Sequence, residues 1–532
     1  MERCIKAVLA LILLLAMFGL AACGNPETPA AAPTAEQAQA QATPAPATGG
    51  ETQPAEEPAS PMEVIEINMV HMISGRPVPP GQQAVDDAIN EIAAQYGVRI
   101  DRTIVEMGVY SQQVSMMLTA REPIDLVQIL PFGPTSFAVT VPQGHFQPMN
   151  SLLERYGQGV LDTLGPLIQG TTVGGNIYTV SGYRSLVQNV YKAFRLDTLE
   201  ELGLVDAAKN IRTLADLEAI YQAVLDNTNL VPLVAGADGN VMTFRSSAIA
   251  NEFANWTNFD DLGDTLQLVR VTPDNRVINH FASDEFRLAM ETIRRWYEMG
   301  FVYRDAAIAT LHSTEYIANN VGFSYFAITE VGGDAAHSAL AGTPLLFVYV
   351  GPGPQVTTGF TRGFNWGIPS ASREPEAAAR FLNLMFTNAE IANLLAWGLE
   401  GRDYVLTPDG IAEFPPGVAS DTVLYQVNDF LFGNQFLKHP WYGSDPNLRE
   451  LAEQEMIDLG PSPFLGFAAE LDDLQMEIMA VQGVIDQFRR QITSGAVPLT
   501  VYEEFLVRLE QVGANDIIEE YQRQLDEWLA NR

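Results

Sequence analysis

Cysteine is nearly absent from this sequence, and both cysteines lie close to its start. The 532 residues include Cys4 and Cys23 and no other cysteine. A body that begins after residue 23 therefore has no thiol for a disulfide or for a cysteine-bound metal ion. Once a polar N-terminal segment is set aside, about 470 residues remain, which is enough to bury a large core without cross-links. We expect this body to fold into two or three lobes.

Basic residues are also scarce. Lysine and arginine together number 30 against 65 acidic residues, which gives a formal net charge of −35. After the first 22 residues the only lysines are Lys192, Lys209 and Lys438. Nucleic acid binding needs clustered cations that contact phosphates, so the composition argues against a nucleic acid partner. Such a negative charge is instead typical of an extracellular protein, because the charge keeps the protein surface soluble.

The common catalytic motifs are missing as well. The sequence contains no G-x-S-x-G, H-E-x-x-H, Walker A or EF-hand pattern. The histidines do not have the spacing of metal ligands; they are His71, His145, His280, His312, His337 and His439. We therefore predict no catalytic residue, no metal site and no cofactor. Acidic neighbours such as Asp260 and Asp261 would serve acid–base catalysis only across a cleft, so a glycosidase stays an open alternative.

The first residues have the layout of a secretion signal. Arg3 and Lys6 precede an uncharged apolar run over residues 7–20, which is shorter than the roughly 20 residues of a membrane-spanning helix. Residues 20–24, LAACG, resemble a lipobox, in which a peptidase cuts before a lipid-bearing cysteine. We predict that Cys23 becomes the palmitate-bearing N-terminus and anchors the chain to the outer face of the cytoplasmic membrane, which is extracellular in a Gram-positive cell.

A polar segment separates this anchor from the body. Residues 23–61 consist largely of Ala, Pro, Thr, Gln, Gly and Glu. They offer almost no apolar surface whose burial could offset the entropy lost on ordering. The composition predicts a disordered tether.

The start of the body alternates strand-like and helix-like patterns. Residues 65–69 alternate between apolar and polar side chains, and residues 124–130 form a nearly continuous apolar run. Both patterns are typical of strands. Between them, apolar residues recur at helical spacing over residues 83–96, and Gly97 follows. The order strand, helix, strand predicts an α/β fold with a buried parallel sheet.

Later segments carry helical signals. Phe286, Met290 and Ile293 are spaced to lie on one face of a helix. Towards the end of the chain, residues 470–491 and 500–529 are charged and amphipathic. These segments predict a helical C-terminal extension that packs one face on the body.

Aromatic residues stand out in loop-like contexts beside apparent strands. Their rings could stack on the apolar faces of sugars while polar neighbours bond the hydroxyls, a mixture that suits a carbohydrate cleft. The alternative is that most of them pack in the core or the hinge. The candidates are Tyr110, Phe132, Tyr183, Trp256, Tyr325, Trp366, Tyr404, Trp441 and Tyr442.

Several segments resemble extracellular solute-binding proteins of the family that includes maltose-binding protein. They are residues 118–126 (LTAREPIDL), 288–302 (LAMETIRRWYEMGFV) and 365–372 (NWGIPSAS). Further segments resemble a subgroup of large Gram-positive lipoproteins that carry a C-terminal domain of unknown function; these are residues 398–405 (GLEGRDYV), 432–436 (FGNQF) and 462–467 (SPFLGF). The first segment departs from the family pattern, because Ala120 and Arg121 stand where the family has Ser-Gly.

The resemblance implies a fold like that of the type II periplasmic binding proteins: α/β, with two lobes, a hinge and a helical C-terminal extension. The chain would cross between the lobes near Val180, again near Ala327 and back after about Pro369. The expected divisions are a signal peptide at 1–22, a tether at 23–61, a first lobe at 62–180 plus 327–369, a second lobe at 181–326 plus 370–460, and the extension at 461–532.

The resemblance further implies a monomer that captures a small solute by hinge closure and presents it to the transmembrane subunits of an ABC permease. A carbohydrate or oligosaccharide is the first expectation, and peptide and polyamine ligands remain open. The expected ligand-binding residues are Tyr110, Phe132, Tyr183, Arg184, Trp256, Glu330 and Trp366. Two other functions remain open: a lipid-anchored carbohydrate-active enzyme and a ligand-presenting component of a sensor system.

Overall fold

The computed structural model of the chain describes residues 63–74, 76–187, 189–234, 260–351 and 355–532. Its strands are β1 Ile65–Ile73, β2 Val98–Glu106, β3 Leu126–Ile129, β4 Thr172–Val173, β5 Asn176–Ile177, β6 Thr179–Val180, β7 Asn189–Arg195, β8 Val269–Val271, β9 Val277–Asn279, β10 Ser324–Thr329, β11 Leu345–Gly351, β12 Asn365–Gly367, β13 Val405–Leu406 and β14 Ala412–Glu413. Its α-helices are α1 Gln82–Ala93, α2 Met107–Thr119, α3 Phe137–Thr140, α4 Asn150–Tyr156, α5 Gln158–Leu164, α6 Leu196–Glu201, α7 Val205–Lys209, α8 Leu214–Asn227, α9 Asp284–Glu298, α10 Ser313–Ala318, α11 Gly333–Ala341, α12 Thr358–Thr361, α13 Pro375–Thr387, α14 Ala389–Trp397, α15 Leu448–Leu459, α16 Gln475–Thr493, α17 Leu499–Gln511 and α18 Ala514–Ala530.

A five-stranded sheet in the order β2-β1-β3-β12-β6 forms the centre of the first lobe. Strands β1, β2 and β3 are parallel, whereas β12 runs antiparallel to both of its neighbours. The expected first strand, first helix and later apolar strand are all present, and Gly97 ends the helical segment with φ +72°. Strand β2 was not predicted. In the sequence it follows α1, and helix α2 comes between it and β3.

Helices packed on this sheet complete the first hydrophobic core. Val85 and Ile89 of α1 and Tyr110 of α2 are buried there. So are Phe381 and Leu382 of α13. Helices α13 and α14 therefore belong to the first lobe, whereas the sequence-based division assigned residues 370–460 to the second. The apolar face of α13 packs on α4 and α5 and on strands β1 and β2.

A three-stranded antiparallel sheet in the order β10-β7-β11 forms the centre of the second lobe. Strand β10 pairs with β7 along its full length, from Ser324 to Thr329. The expected crossing near Ala327 is therefore wrong, because Ala327 lies inside a strand of the second lobe. The chain crosses back only after β11, between residues 351 and 365.

The last three helices are part of the second hydrophobic core. Phe488 of α16, Phe505 of α17 and Ile517 of α18 are buried together with Phe281 and Trp296. The predicted helical C-terminal extension is confirmed, and the face that its helices pack on the body completes the core of the second lobe. Within the described ranges, no helix is long and apolar enough to cross a bilayer.

Candidate functional site

Three chain segments connect the two lobes and bind one another through the backbone. The first lies between β6 and β7, the second between β11 and β12, and the third between residues 432 and 467. The Tyr183 amide donates to Gly433 O at 2.8 Å, and Tyr183 O accepts from the Gln435 amide at 2.7 Å. Val356 O accepts from the Ser462 amide at 2.9 Å. The third segment is thus bonded to both of the others, and we call this region the lobe junction.

A small apolar cluster holds the three segments together. Its buried members are Leu167, Leu186, Val187, Val356, Met456 and Leu465. Leu186 and Val187 come from the first crossing, Val356 from the second, and the last two residues from the third. Because this cluster is separate from the two lobe cores, the lobes are joined through a narrow contact, as in a hinge.

Charged side chains gather at the same junction. Asp429 Oδ2 accepts from Arg449 at 2.9 Å and from Gln435 Nε2 at 3.0 Å. The neighbouring Arg449 and Lys438 outweigh burial and hold the pKa of Asp429 below its usual value. Lys438 is only 2% exposed, and its amine donates to Asp429 O and to Phe432 O. Burial lowers the pKa of Lys438 to about 7.

Arg184 lies at this junction with few hydrogen bonds. Its guanidinium lies 5.9 Å from the ring centre of Phe364 and 6.0 Å from that of Phe430. Its hydrogen bond to Ser185 O is long, at 3.4 Å, and among the described residues its Nε has no acceptor. Burial lowers the pKa of Arg184, while the negative charges of Glu330 and Asp429 act in the opposite direction.

Glu330 reaches the junction from the second lobe, directly after β10. Its side chain is open to solvent, yet burial is the largest cause of its raised pKa. The carboxylate of Asp429 raises this pKa further, whereas Arg449, Arg184 and a hydrogen bond from the Ser185 side chain lower it.

A pocket of about 420 Å³ opens beside the charged residues. It lies between the third crossing and the start of α15 and is lined by Phe436, Leu437, Lys438, His439, Pro440, Pro446, Asn447, Arg449, Glu450 and Glu453. Its size falls within the roughly 300–1,000 Å³ of small-molecule sites. Arg449 belongs both to the pocket wall and to the charged cluster, so the two features adjoin.

Four of the expected ligand-binding residues lie at or near this junction. Arg184 and Glu330 interact electrostatically. Tyr183 donates from its hydroxyl to Glu453 at 3.1 Å, and burial raises its pKa to about 12. Phe132 is 51% exposed and follows Pro131, which packs near Gly363 beside the Arg184 guanidinium. The pocket described above is lined by none of these four side chains, and Glu330 follows a strand of the second lobe rather than a crossing.

Two of the expected residues lie in the core of the first lobe instead. Tyr110 is fully buried in α2, and its hydroxyl donates to Gln128 O. Trp366 is fully buried in β12, and its Nε1 donates to Leu431 O at 2.8 Å. Neither ring has a face open to a ligand in this conformation. The prediction that Tyr110 and Trp366 contact the ligand is therefore wrong for this conformation. Trp256 and Cys23 lie outside the described residues.

Three charged residues of the junction were not predicted from the sequence: Asp429, Lys438 and Arg449. For Lys438 the sequence did contain a signal of a special role. It is one of three lysines after residue 22, and it lies in a segment rich in aromatic residues. Among the residues that the structure describes, no group of three or more His, Cys, Asp or Glu side chains is arranged to hold a metal ion.

Comparisons with known proteins agree with this architecture. Residues 463–530 match the family described as a domain of unknown function, DUF3502. A protein of Streptococcus pneumoniae serotype 4 named carbohydrate ABC transporter substrate-binding protein is 24% identical over 457 residues, covering 83% of this chain and 87% of that protein.

Solved structures of solute-binding proteins have a similar fold. The N-glycan transport solute binding protein NgtS from Streptococcus pneumoniae superimposes with a TM-score of 0.74 at 21% identity, covering 88% of this chain and 99% of that one. The alginate-binding protein AlgQ2 superimposes with a TM-score of 0.56 at 16% identity, covering 87% and 98%. The chain thus has the two-lobe α/β fold of the extracellular solute-binding proteins, with a DUF3502 domain that completes its second lobe.

Proposed function

We propose that this chain is the substrate-binding lipoprotein of an ABC importer and that it captures a carbohydrate between its two lobes. The observation that carries the proposal is the lobe junction. Two separate hydrophobic cores are joined by three crossings that bond to one another, and a pocket of about 420 Å³ opens beside the charged residues of the third crossing. The carbohydrate class is supported by two similar Streptococcus pneumoniae proteins, one named as a carbohydrate ABC transporter substrate-binding protein and the other, NgtS, as an N-glycan transport protein.

Capture requires that the ligand prefer the closed form. A solute that binds both forms equally shifts no equilibrium, whereas one that contacts both lobes stabilises closure by its differential affinity. Arg184 belongs to a crossing and Glu330 to the second lobe, while Phe132 follows β3 of the first lobe. We propose that these residues, with Tyr183, contact the solute from both sides of the hinge.

The N-terminal segment supports the proposed location. A lipid on Cys23 would hold the body at the outer face of the membrane, and the tether would let it reach the transmembrane subunits of a permease. One acyl chain alone gives only marginal membrane binding, so stable anchoring requires more than one. A Cys23→Ser variant expressed in a Gram-positive host should move from the membrane fraction to the medium. Retention of that variant on the membrane would contradict lipid anchoring through Cys23.

A carbohydrate-active enzyme is a second candidate, and one observation favours it. Glu330 has a raised pKa and Asp429 a lowered one. Two carboxyl groups whose pKa values are shifted apart are the pattern of a glycosidase acid and its partner. Asp429 is engaged by Arg449 and Gln435, which favours a structural role for it. Chromatography of a saccharide incubated with the protein separates the two candidates, because an enzyme releases shorter products at a catalytic rate.

Binding tests the proposal directly. The mature chain with Cys23→Ser is screened by thermal shift against neutral and acidic oligosaccharides, peptides and polyamines, and each hit is measured by calorimetry. A solute that binds only the folded protein raises its melting temperature. We expect a stoichiometric saccharide hit without product formation. Hits confined to peptides or polyamines would refute the carbohydrate class.

Phe132→Ala examines the proposed contact on the first lobe. Because Phe132 is half exposed, we expect little change in stability and a loss of about 1–3 kcal/mol in the binding free energy if its ring stacks on a sugar. Val109→Ala is a matched control, because Val109 is 55% exposed on α2. Equal affinities of the two variants and the parent would remove Phe132 from the site.

A further inference from the structure

The pocket beside the third crossing has one wall that is fixed to the first lobe. This wall is the segment 436–440. Leu437 O accepts from Asn393 Nδ2 at 3.2 Å, and the His439 amide donates to Asn393 Oδ1 at 2.9 Å. Trp397 Nε1 donates to His439 O at 3.1 Å. Because Asn393 and Trp397 lie on α14, these bonds hold the segment on the first lobe.

The opposite wall is the N-terminal half of α15, and this helix is fixed to the second lobe. Glu455 of α15 accepts a hydrogen bond from the side chain of Asn189, the first residue of β7. Leu448 packs so closely on Gly332, shortly after β10, that a Cβ at Gly332 would overlap it. Strands β7 and β10 belong to the second lobe. The two walls of the pocket therefore belong to different lobes.

The charged side chains of the pocket wall leave acceptors open to a ligand. The cations are already engaged, because Arg449 is held in its ion pair and Lys438 donates to two backbone carbonyls. Glu450 is exposed, and Glu453 has a second carboxylate oxygen besides the one that accepts from the Tyr183 hydroxyl at 3.1 Å. The pocket therefore suits a ligand that donates hydrogen bonds.

We propose that this pocket holds one sugar unit of the captured saccharide and that Glu450 and Glu453 accept hydrogen bonds from its hydroxyls. The inference rests on the proposed capture of a carbohydrate and adds a subsite that none of the four contacts proposed above lines. Hydroxyls donate well to carboxylates, because hydrogen bonds to an ionised acceptor are stronger than neutral ones. An apolar remainder of the wall suits the C–H face of a sugar ring; it consists of Phe436, Leu437, Pro440 and Pro446.

A sugar unit in this pocket contacts both lobes at once. Its hydroxyls bond to α15, which is fixed to the second lobe, while its ring packs on the segment 436–440 of the first lobe. Movement of the lobes changes the distance between these walls. The sugar consequently stabilises the lobe angle at which both walls fit it, by its differential affinity for that conformation.

Calorimetry of two pocket variants tests the subsite. The probes are maltotriose, mannotriose and chitotriose, added to the mature Cys23→Ser chain. Glu450→Gln should weaken binding by about 10- to 100-fold, the scale of a lost hydrogen bond to a charged group. Asn447→Trp should remove measurable binding, because Asn447 lines the pocket and its side chain makes no capping bond to α15, so the larger ring fills the space without disturbing the helix.

Two control variants carry the same changes outside the pocket. Asp458→Asn removes a charge from the exposed surface of α15, and Leu451→Trp adds the same bulk at a position of α15 that is 47% exposed. Neither residue lines the pocket, so both variants should bind like the parent. Thermal unfolding of every variant confirms that it is folded.

The lack of cysteine in the body allows the lobe angle to be measured. Gln112→Cys on α2 and Glu519→Cys on α18 place one exposed thiol on each lobe. Spin labels on both thiols report the distance between the lobes by pulsed electron paramagnetic resonance. We expect a saturating trisaccharide to shift this distance in the parent and to leave it unchanged in Asn447→Trp.

The results separate failure of the subsite from failure of the proposed function. If a trisaccharide binds the parent, but Glu450→Gln binds it as tightly as Asp458→Asn does, the pocket is not the subsite while carbohydrate capture stands. If the pocket variants lose binding but the trisaccharide does not shift the distance in the parent, the coupling to the lobe angle is wrong. If neither these trisaccharides nor any other saccharide of the screen binds, the proposed function fails, and the inference fails with it.

Discussion

Lys192 is a buried cationic residue whose replacement should stabilise the protein. It lies in the middle of β7 with 0% exposure, and among the described residues its amine has no hydrogen-bond partner. The rings of Phe194, Tyr221 and Phe326 surround it at 5.5, 5.5 and 4.4 Å from its Nζ. Burial lowers its pKa well below the usual 10.5.

The lowered pKa fixes the sign of the pH dependence. The unfolded chain keeps the Lys192 proton up to about pH 10.5, whereas the folded chain releases it at a lower pH. Between the two pKa values the unfolded state binds more protons, so folding stability rises with pH by about 1.4 kcal/mol per unit. Lys192→Met removes this dependence and also removes an unsatisfied buried amine, which costs about 1–3 kcal/mol.

Urea unfolding followed by circular dichroism at pH 7, 8, 9 and 10 measures both effects. We expect Lys192→Met to be more stable than the parent at pH 7, by at least about 1 kcal/mol, with the difference shrinking as pH rises. Lys209→Met is the matched control, because Lys209 is exposed at the end of α7, and it should leave stability within about 0.5 kcal/mol of the parent. A destabilised Lys192→Met variant, or equal stability gains at pH 7 and pH 10, would refute the reasoning.

Three further substitutions test the packing of the lobes. Asp86→Asn breaks the buried ion pair with Arg102, whose atoms are 2.6 Å apart, and should cost about 3–5 kcal/mol of unfolding free energy in urea titrations; a loss below about 1 kcal/mol would show that the pair contributes little. Trp366→Ala should cost about 3–5 kcal/mol of stability and leave the calorimetric affinity of the folded protein for a saccharide unchanged, whereas a selective loss of affinity would return Trp366 to the binding site. Phe505→Ala, which empties a site between Phe281 and Phe488, should destabilise the second lobe by about 3–5 kcal/mol, and an unchanged melting temperature would show that the C-terminal helices are dispensable for it.

Periodic elements of the fold were predictable because their signals are local. Phe286, Met290 and Ile293 lie on the buried face of α9, as their spacing indicated. The lobe to which an element belongs was not predictable in the same way. Helix α13 is equally apolar whichever sheet it packs on, and the crossing after β11 follows from antiparallel pairing between distant segments. Sequence spacing carries no information on such long-range pairing.

The candidate site was predictable only in part, for a related reason. Arg184 was found because it follows the first crossing. Tyr110 was misassigned although Val114 and Leu118 continue its stripe at four-residue spacing on α2, which is a core signal. Asp429 lies in a short 3-10 turn and Arg449 near the start of α15, and the two pair with each other at the junction although they are 20 positions apart in the sequence. No local sequence pattern indicates that these side chains come together.

The shared core of the second lobe also constrains the order in which the chain can fold. This core combines residues from 190–350 with residues up to Leu525 of α18, and the Val277 amide donates to Gln522 Oε1 at 2.7 Å across 245 positions. During synthesis the sheet of the second lobe therefore emerges long before the C-terminal helices that share its hydrophobic core. Until those helices arrive, this core is incomplete, and its apolar residues are open to association with other chains. Completion of this lobe consequently waits for the C-terminal helices, and its assembly is set by contacts between distant segments rather than by local helix formation.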